Sequence, residues 1–265
     1  MARVLITGCS TGIGRATAIE CTARGHEVVA TARRRAALEG LDVAAALELD
    51  VDDETSVIAA VAAAGDVDVL VNNAGWEAGG PVERVPLERV KAMFETNVFG
   101  VARMVQAVAP GLRAKGAGTI VNVSSMAGRV AAPLNAFYSA SKFAVEAISE
   151  SLHYELGHFG IRVVIIEPGN IATNFGANVQ RFGEDVGPWD ELRAQWDTAF
   201  DTLGGGEEPP GPELVATAIA DAIEAEDPPL RIPVGADAEL IAAVRDANDD
   251  AAFEAVMRET LGLTW

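Results

Sequence analysis

Apolar runs of about five residues alternate with longer stretches of helical periodicity along most of the chain. Uninterrupted apolar runs of this length predict strands that are buried on both faces. Strands are predicted at residues 3–7, 27–32, 46–49, 67–71, 119–123, 162–166 and 230–234. Helices are predicted at residues 13–24, 34–41, 53–64, 86–115, 137–159, 212–226 and 236–261, and the one at 86–115 could contain a break.

This alternation predicts an α/β fold whose parallel sheet is covered by helices on both faces. Right-handed crossovers between the strands then produce a doubly wound sheet of about seven strands. We expect one domain over residues 1–265, with a core at about 1–169 and a helix–strand–helix unit at 212–265. In such sheets, ligands bind beyond the carboxyl ends of the strands.

Residues 170–211 interrupt this alternation. Their apolar side chains are scattered among acidic residues, and glycines at 204–206 and prolines at 209–210 follow. Trp189 and Trp196 could line a pocket or anchor the segment. We expect a small lid of short helices over the substrate site, and not a second domain.

The charge balance is acidic, with 20 Lys and Arg against 39 Asp and Glu and a formal net charge of −19. Such a chain repels nucleic acid and anionic membranes, so neither is expected as a partner. The two cysteines, Cys9 and Cys21, form no disulfide framework. Because no apolar run is long enough to span a bilayer, we expect a cytoplasmic protein without membrane insertion.

The turn between the first strand and the first helix is rich in glycine. Gly8, Gly12 and Gly14 are spaced G-x-x-x-G-x-G, which differs from the usual G-x-G-x-x-G dinucleotide fingerprint. Glycines let the backbone approach a phosphate, and the N-terminus of the helix offers free N–H groups. No Gly-Lys-Ser/Thr sequence follows, which argues against a P-loop NTPase. We predict a nucleotide site here, with a tight turn that binds nothing as the alternative.

The end of the second strand favours NADP(H) over NAD(H). An NAD site usually carries an acidic residue there for the ribose hydroxyls, whereas here Arg33, Arg34 and Arg35 follow the strand. Three arginines are unfavourable at the start of a helix, so a functional reason is preferred over three solvated side chains. A guanidinium group suits a 2′-phosphate. We predict that Arg33 binds this phosphate, with Thr31 and Arg34 assisting.

Tyr138 and Lys142 are four residues apart, so they share one face of the predicted helix. An ammonium group beside a phenol favours the phenolate and lowers the pKa of the tyrosine. A tyrosine tuned in this way can transfer a proton near neutral pH. Taken alone, however, such a pair is also typical of an ordinary helix surface.

Together, these motifs resemble those of the classical short-chain dehydrogenase/reductase family over residues 2–175. The resemblance rests on the glycine turn at 7–14, Leu49-Asp50-Val51, Asn72-Asn73-Ala74-Gly75, Asn97, Ser124-Ser125, Tyr138-x-x-x-Lys142 and Pro168-Gly169, in this order. It implies a Rossmann-type fold and hydride transfer between a nicotinamide cofactor and an alcohol or carbonyl group.

The resemblance also assigns roles. It makes Tyr138 the acid in reduction and the base in oxidation, and Lys142 the residue that binds the nicotinamide ribose and lowers the pKa of Tyr138. Ser125 is preferred over Ser124 for orienting the substrate oxygen, because the family spacing to Tyr138 is 13 residues. Asn97 would hold a water in a proton relay. The implied cofactor site comprises Gly8, Ser10, Thr11, Gly12, Ile13, Gly14, Thr31, Arg33, Arg34, Asp50, Val51, Asn73, Ala74, Gly75, Tyr138, Lys142, Pro168, Gly169, Ile171 and Thr173.

No metal site is expected. His153 and His158 are five residues apart, so on a helix they point in different directions. The predicted helices at 86–115 and 137–159 are more apolar than a free surface requires. The resemblance implies that they pair between subunits of a homodimer or homotetramer.

The expected reaction interconverts an alcohol and a ketone or aldehyde with NADP(H), and the substrate is expected to be hydrophobic. The lid and the loops near residues 75–82 and 127–135 would determine which substrate is bound. Two alternatives remain open at this point. One is a dinucleotide-binding regulator that performs no turnover, and the other is an epimerase or dehydratase of the same fold.

Overall fold

The computed structural model describes residues 1–175, 179–183, 187–203 and 208–262. Its strands are β1 (Arg3–Ile6), β2 (Glu27–Ala32), β3 (Ala45–Glu48), β4 (Val69–Asn72), β5 (Ala78–Gly79), β6 (Gly118–Val123), β7 (Ile161–Pro168), β8 (Gln180–Arg181) and β9 (Arg231–Val234). A seven-stranded parallel sheet has the order β3-β2-β1-β4-β6-β7-β9, and β5 pairs with β8 apart from it. The order reverses between β1 and β4, which confirms the predicted doubly wound fold.

The helices lie on both faces of this sheet. They are α1 (Gly12–Ala23), α2 (Glu54–Ala64), α3 (Leu87–Phe94), α4 (Gly100–Lys115), α5 (Ala136–Gly157), α6 (Asp190–Leu203), α7 (Pro212–Glu224), α8 (Ala236–Ala247) and α9 (Asp250–Leu261). Within the described ranges, no helix has the length and apolar character needed to cross a bilayer.

Strand β1 illustrates why the apolar runs are continuous. Successive side chains of a strand point to opposite faces of the sheet. Val4 and Ile6 join a buried cluster with residues of α1 and α7, whereas Leu5 joins a cluster with residues of α2, α4 and α5. Because both faces are covered, every position of the strand after Arg3 is apolar, and the strands are recognisable in the sequence for this reason.

Two predicted helices, at 34–41 and 86–115, differ from the structure. The helix predicted at 34–41 is only a 3₁₀ turn at Arg35–Leu38. Pro86 caps α3 and does not form its first turn. A π-helical turn at Glu95–Phe99 divides the long helix predicted at 86–115. Such a turn changes the direction of the side chains that follow it, and here it contains Asn97.

The segment predicted as a lid of short helices is described in part. In the residues that the structure describes, this segment contains strand β8 and the 14-residue helix α6. Residues 176–178, 184–186 and 204–207 of this prediction lie outside the described residues. The helix predicted at 236–261 is divided in two, because Asn248 is extended and the Asp249 side chain accepts a 2.9 Å hydrogen bond from the N–H of Ala252 at the start of α9.

Candidate active site

The carboxyl ends of the central strands open into one cleft of about 1310 Å³. Parallel strands end at the same edge of a sheet, so residues distant in sequence meet there. Of the predicted site residues, the cleft is lined by Gly8, Ser10, Thr11, Gly12, Ile13, Arg33, Asp50, Val51, Asn73, Ala74, Gly75, Ser125, Tyr138, Lys142, Pro168, Gly169, Ile171 and Thr173. The other four, Gly14, Thr31, Arg34 and Asn97, do not line it.

The backbone of the glycine turn allows a phosphate group to approach the start of α1 closely. Gly8 and Gly12 have φ angles of +75° and +57°, which other residues adopt with strain. The N-cap residue of α1, Thr11, makes no side-chain capping bond, and the first turn of α1 contains no acidic residue. The first N–H groups of this helix are therefore available to a phosphate, as the sequence predicts.

Gly14 lies behind this turn and serves packing. A Cβ atom at Gly14 would lie 2.5 Å from the carbonyl oxygen of Gly8 and would overlap the Asn73 amide. The Nδ2 atom of Asn73 donates to the carbonyl of Thr7 at 2.9 Å, which ties the turn to the end of β4. Gly14 does not line the cleft, and this close packing favours a role in bringing the turn and β4 together over the predicted cofactor contact.

The three residues predicted to select the cofactor lie at the end of β2 and differ in their exposure and in whether they line the cleft. Arg33 is exposed and lines the cleft. Thr31 is fully buried, its Oγ1 donates to the carbonyl of Ile6 at 2.8 Å, and it does not line the cleft, so the geometry gives no support to its predicted assistance. Arg34 is exposed but does not line the cleft, and its predicted assistance finds no support in the geometry.

Tyr138 lies near the start of α5 and is 8% exposed. Its ring centroid is 5.9 Å from that of Phe175. Burial raises the pKa of Tyr138 above its usual range, the charge of Glu77 raises it further, and a hydrogen bond with Ser125 lowers it. Tyr138 and Ser125 therefore present two neighbouring hydroxyl groups to the cleft.

Lys142 follows Tyr138 by one turn and is 6% exposed. Its Nζ donates to the carbonyl of Val123 at 2.9 Å and lies 5.7 Å from the centroid of the Tyr138 ring. Burial lowers the pKa of Lys142 to about 8, and the charge of Glu146 opposes this shift. Burial and the charge of Glu77 hold the pKa of Tyr138 above its usual range in this structure, and the lowering of that pKa by Lys142 stays a prediction.

Asn97 is 1% exposed and joins two parts of the site. Its Oδ1 accepts from the N–H of Trp76 at 3.0 Å, and its Nδ2 donates to the Trp76 carbonyl at 2.9 Å and to Ser141 Oγ at 3.1 Å. Ser141 Oγ donates in turn to the Tyr138 carbonyl at 2.7 Å. Asn97 thus connects the loop after β4 to the turn of α5 that carries Tyr138.

Several lining residues are not apparent from the sequence. Glu77 is half-buried, follows Gly75 by two positions and lines the cleft, yet a charged residue after a strand resembles any solvated loop residue. Burial raises the pKa of its carboxyl group, against the opposing charge of Arg181. Helix α9 contributes Phe253, Glu254, Met257 and Arg258, and nothing local in the sequence indicates that this distant helix reaches the cleft.

Metal binding receives no support from the described residues. Among them, no group of three or more His, Cys, Asp and Glu side chains is arranged to hold a metal ion. A dinucleotide, in contrast, fits the residues that are present. The left-handed glycines, the uncapped start of α1 and the exposed Arg33 lie along one continuous cleft with Tyr138.

The fold and this cleft define the protein as an α/β dinucleotide-binding oxidoreductase. A family model described as short chain dehydrogenase matches residues 2–183. The chain belongs to this family, as the motifs predict. It is 37% identical over 238 residues to a 3-ketodihydrosphingosine reductase of Bacteroides thetaiotaomicron, a match that covers 88% of this chain and 87% of the relative.

Solved structures agree with this assignment. A short-chain dehydrogenase from Streptomyces avermitilis is 35% identical, with a TM-score of 0.84 over 100% of this chain and 99% of its own. A short-chain dehydrogenase from Burkholderia cenocepacia, solved in complex with NADP, is 27% identical, with a TM-score of 0.79 and full coverage of both chains. A nicotinamide dinucleotide is therefore the class of cofactor that the fold accepts.

Proposed function

We propose that this protein is an NADP(H)-dependent oxidoreductase that interconverts an alcohol and a ketone or aldehyde. The observation that supports this most directly is the meeting of Ser125, Tyr138 and Lys142 in the cleft that also contains the glycine turn. The hydroxyl and ammonium groups that would act on a carbonyl thus lie in the same cleft as the glycine turn that would bind a dinucleotide.

The chain's own residues handle the oxygen and its proton. The bound nicotinamide supplies or accepts the hydride. As negative charge develops on the carbonyl oxygen, Ser125 donates a hydrogen bond to it and Tyr138 donates the proton. The positive charge of Lys142 stabilises the phenolate that remains. In oxidation, that phenolate accepts the proton of the alcohol.

The preference for NADP(H) is supported by Arg33, which is exposed at the cleft where an NAD enzyme usually carries an acidic residue. Asp50 and Val51 are proposed to contact the adenine, and the loop after β4 to contact its ribose. Lys142 and Tyr138 are proposed to hold the nicotinamide ribose. The nicotinamide itself would lie against the residues that follow β7, namely Pro168, Gly169, Ile171 and Thr173.

The substrate is proposed to be hydrophobic. Part of the lining of the cleft is apolar and consists of Trp76, Val130, Leu134, Phe175, Val179, Trp196, Phe253 and Met257. The relative in Bacteroides thetaiotaomicron is named as the reductase of a keto compound, which supports reduction of a ketone as the direction to test first.

Tyr138→Phe tests the proposal against the non-catalytic alternative. We expect this variant to lower kcat by about 10²–10⁴-fold, because the proton donor is lost, while it still binds NADPH. Turnover is measured as NADPH consumption with a panel of ketones and aldehydes. Tyr154→Phe is the matched control, since Tyr154 lies on the same helix but is exposed. A regulator without turnover would keep its biological activity in both variants.

A homodimer or homotetramer and a cytoplasmic location are part of this proposal. The outer faces of α4 and α5 support association, because Phe143 and Tyr154 are exposed there, and Phe99 and Phe159 flank the two helices and are exposed as well. Light scattering after size-exclusion chromatography measures the assembly directly.

A further inference from the structure

Asp237 is a buried carboxylate in the first turn of α8, and it binds the loop that follows β7 (residues 169–173, the β7 loop). It is 6% exposed. Its Oδ2 accepts a hydrogen bond from the N–H of Asn170 at 2.6 Å, and its Oδ1 accepts one from the N–H of Ala238 at 2.9 Å. Because burying a carboxylate is costly unless it is hydrogen-bonded, these contacts hold the start of α8 and the β7 loop together.

The backbone packs closely around this carboxylate. A Cβ atom at Gly169 would overlap Asp237 Oδ1, and one at Gly235 would lie 2.9 Å from the same oxygen. The N–H of Gly169 also donates to the carbonyl of Val234 at 2.9 Å, just before α8. The absence of a side chain at Gly169 therefore allows the β7 loop to lie directly against Asp237.

The β7 loop lines the cleft, whereas Asp237 does not. All five residues of the loop are lining residues, and three of them, Gly169, Ile171 and Thr173, are proposed above to contact the nicotinamide. Asp237 is buried behind the loop and lies outside residues 2–183, the part of the chain that the family model matches. An effect of Asp237 on a bound cofactor would therefore pass through the backbone of the β7 loop.

We propose that Asp237 is a positioning residue that holds the β7 loop in the conformation that receives the nicotinamide of the cofactor. This inference rests on the proposed function and adds a residue of α8 to it. Hydride transfer depends on the orientation of the nicotinamide, so a small displacement of the loop lowers the rate strongly. The adenosine half of the cofactor is proposed to contact Arg33, Asp50 and Val51, which are far along the chain from Asp237, and its binding does not depend on the β7 loop.

Asp237→Asn tests this with two ligands, NADPH and adenosine 2′,5′-bisphosphate, which lacks the nicotinamide half. The variant keeps the shape of the side chain, but an NH₂ group replaces one accepting oxygen, so the N–H of Asn170 or that of Ala238 loses its partner. We expect the affinity for NADPH to fall by about tenfold, and kcat for ketone reduction by about 100-fold. The affinity for adenosine 2′,5′-bisphosphate should be unchanged. Both affinities are measured by calorimetric titration.

Glu239→Gln is the matched control, because Glu239 lies in the same turn of α8 but is exposed. It removes the same charge from the start of the helix and should leave kcat and both affinities at their wild-type values. Asp237→Ser is the second variant, and it decides the question if Asp237→Asn does not fold. Serine is favourable at the start of a helix, but its side chain is too short to replace the bond to Asn170.

A loss of affinity that is confined to NADPH supports the proposal in either variant. Equal losses for the two ligands would overturn it, because Asp237 would then support the fold in general, and unchanged binding of both would overturn it as well. In these two cases, NADPH binding and turnover by the wild type leave the proposed function standing. A wild-type protein that binds neither NADPH nor NADH would overturn the proposed function, and this inference with it.

Discussion

Glu146 follows Lys142 by one turn of α5, and its buried carboxylate accepts a hydrogen bond from Arg231 Nε at 2.9 Å. Residues four positions apart on a helix are neighbours, so this charge acts on the lysine. It is the charge that opposes the lowering of the Lys142 pKa by burial. Glu146 therefore helps to determine the pH up to which Lys142 stays protonated.

Glu146→Gln is expected to move the alkaline limb of the pH–rate profile to lower pH, by about one unit. Lys142 is charged below its pKa and loses its proton as the pH rises through about 8. Removing Glu146 lowers that pKa, so the charge beside Tyr138 is lost earlier. The measurement is kcat/KM for carbonyl reduction across the pH range.

Glu150→Gln is the control for this prediction. Glu150 binds the same Arg231 at 2.6 Å, but its side chain is exposed and lies a further turn away from Lys142. We expect the alkaline limb of the pH–rate profile of Glu150→Gln to coincide with that of the wild type. Equal shifts in both variants would show that Arg231 is responsible, and not the charge of Glu146.

Glu167 should make stability depend on pH. It is 1% exposed and lies 3.4 Å from Arg129 and 3.3 Å from Arg231. Burial raises the pKa of Glu167 to about 7, and the charge of Glu146 adds to this. Since the pKa is higher in the folded state, the protonated carboxyl stabilises the fold at low pH, and this contribution is lost as the pH rises through about 7.

Glu167→Gln is therefore expected to raise Tm at about pH 8 and to leave it nearly unchanged near pH 4.5, where Glu167 is already protonated. The two arginines keep Asp246, Glu146 and Glu150 as partners. Thermal unfolding at several pH values measures the effect. A lower Tm for the variant at pH 8 would show that the ion pairs outweigh the desolvation of the carboxylate.

Gly14→Ala is expected to lower Tm and weaken NADPH binding together. The added methyl group would collide with the backbone of Gly8 and the amide of Asn73, neither of which can move without opening the turn. Gly111→Ala is the matched control, because nothing lies within 4 Å of its Cβ position on α4. Alanine there should leave Tm equal or slightly higher, since it favours the helix. Equal losses of Tm in the two variants would contradict this explanation.

Arg33→Ala is expected to weaken NADPH binding by roughly 10- to 100-fold and to leave NADH binding almost unchanged, because charge-assisted hydrogen bonds to the 2′-phosphate are lost. Fluorescence titration with each nucleotide gives the two affinities. Arg35→Ala serves as the control, since Arg35 is exposed nearby but does not line the cleft. If both variants lose the same affinity, a general positive potential at this edge explains binding better than Arg33 does.

The sequence by itself determined the strands, their parallel arrangement and the edge where the site forms. Strands covered on both faces are apolar along most of their length, so a run such as Val69, Leu70 and Val71 in β4 stands out locally. The glycine turn and the Tyr138–Lys142 spacing are also local, since they need only one turn or one helix. These features are the ones that the fold bears out.

Only the tertiary structure decided which side chains reach the cleft and how they ionise. Thr31 and Arg33 are neighbours on the same stretch of chain, yet the sheet buries one and exposes the other. Glu77 raises the pKa of Tyr138 although the two are 61 positions apart in the sequence. Glu146 acts on Lys142 from the same helix, and its carboxylate accepts a hydrogen bond from Arg231 on β9. Burial and charge depend on distance in space, and sequence periodicity carries no information about contacts of that kind.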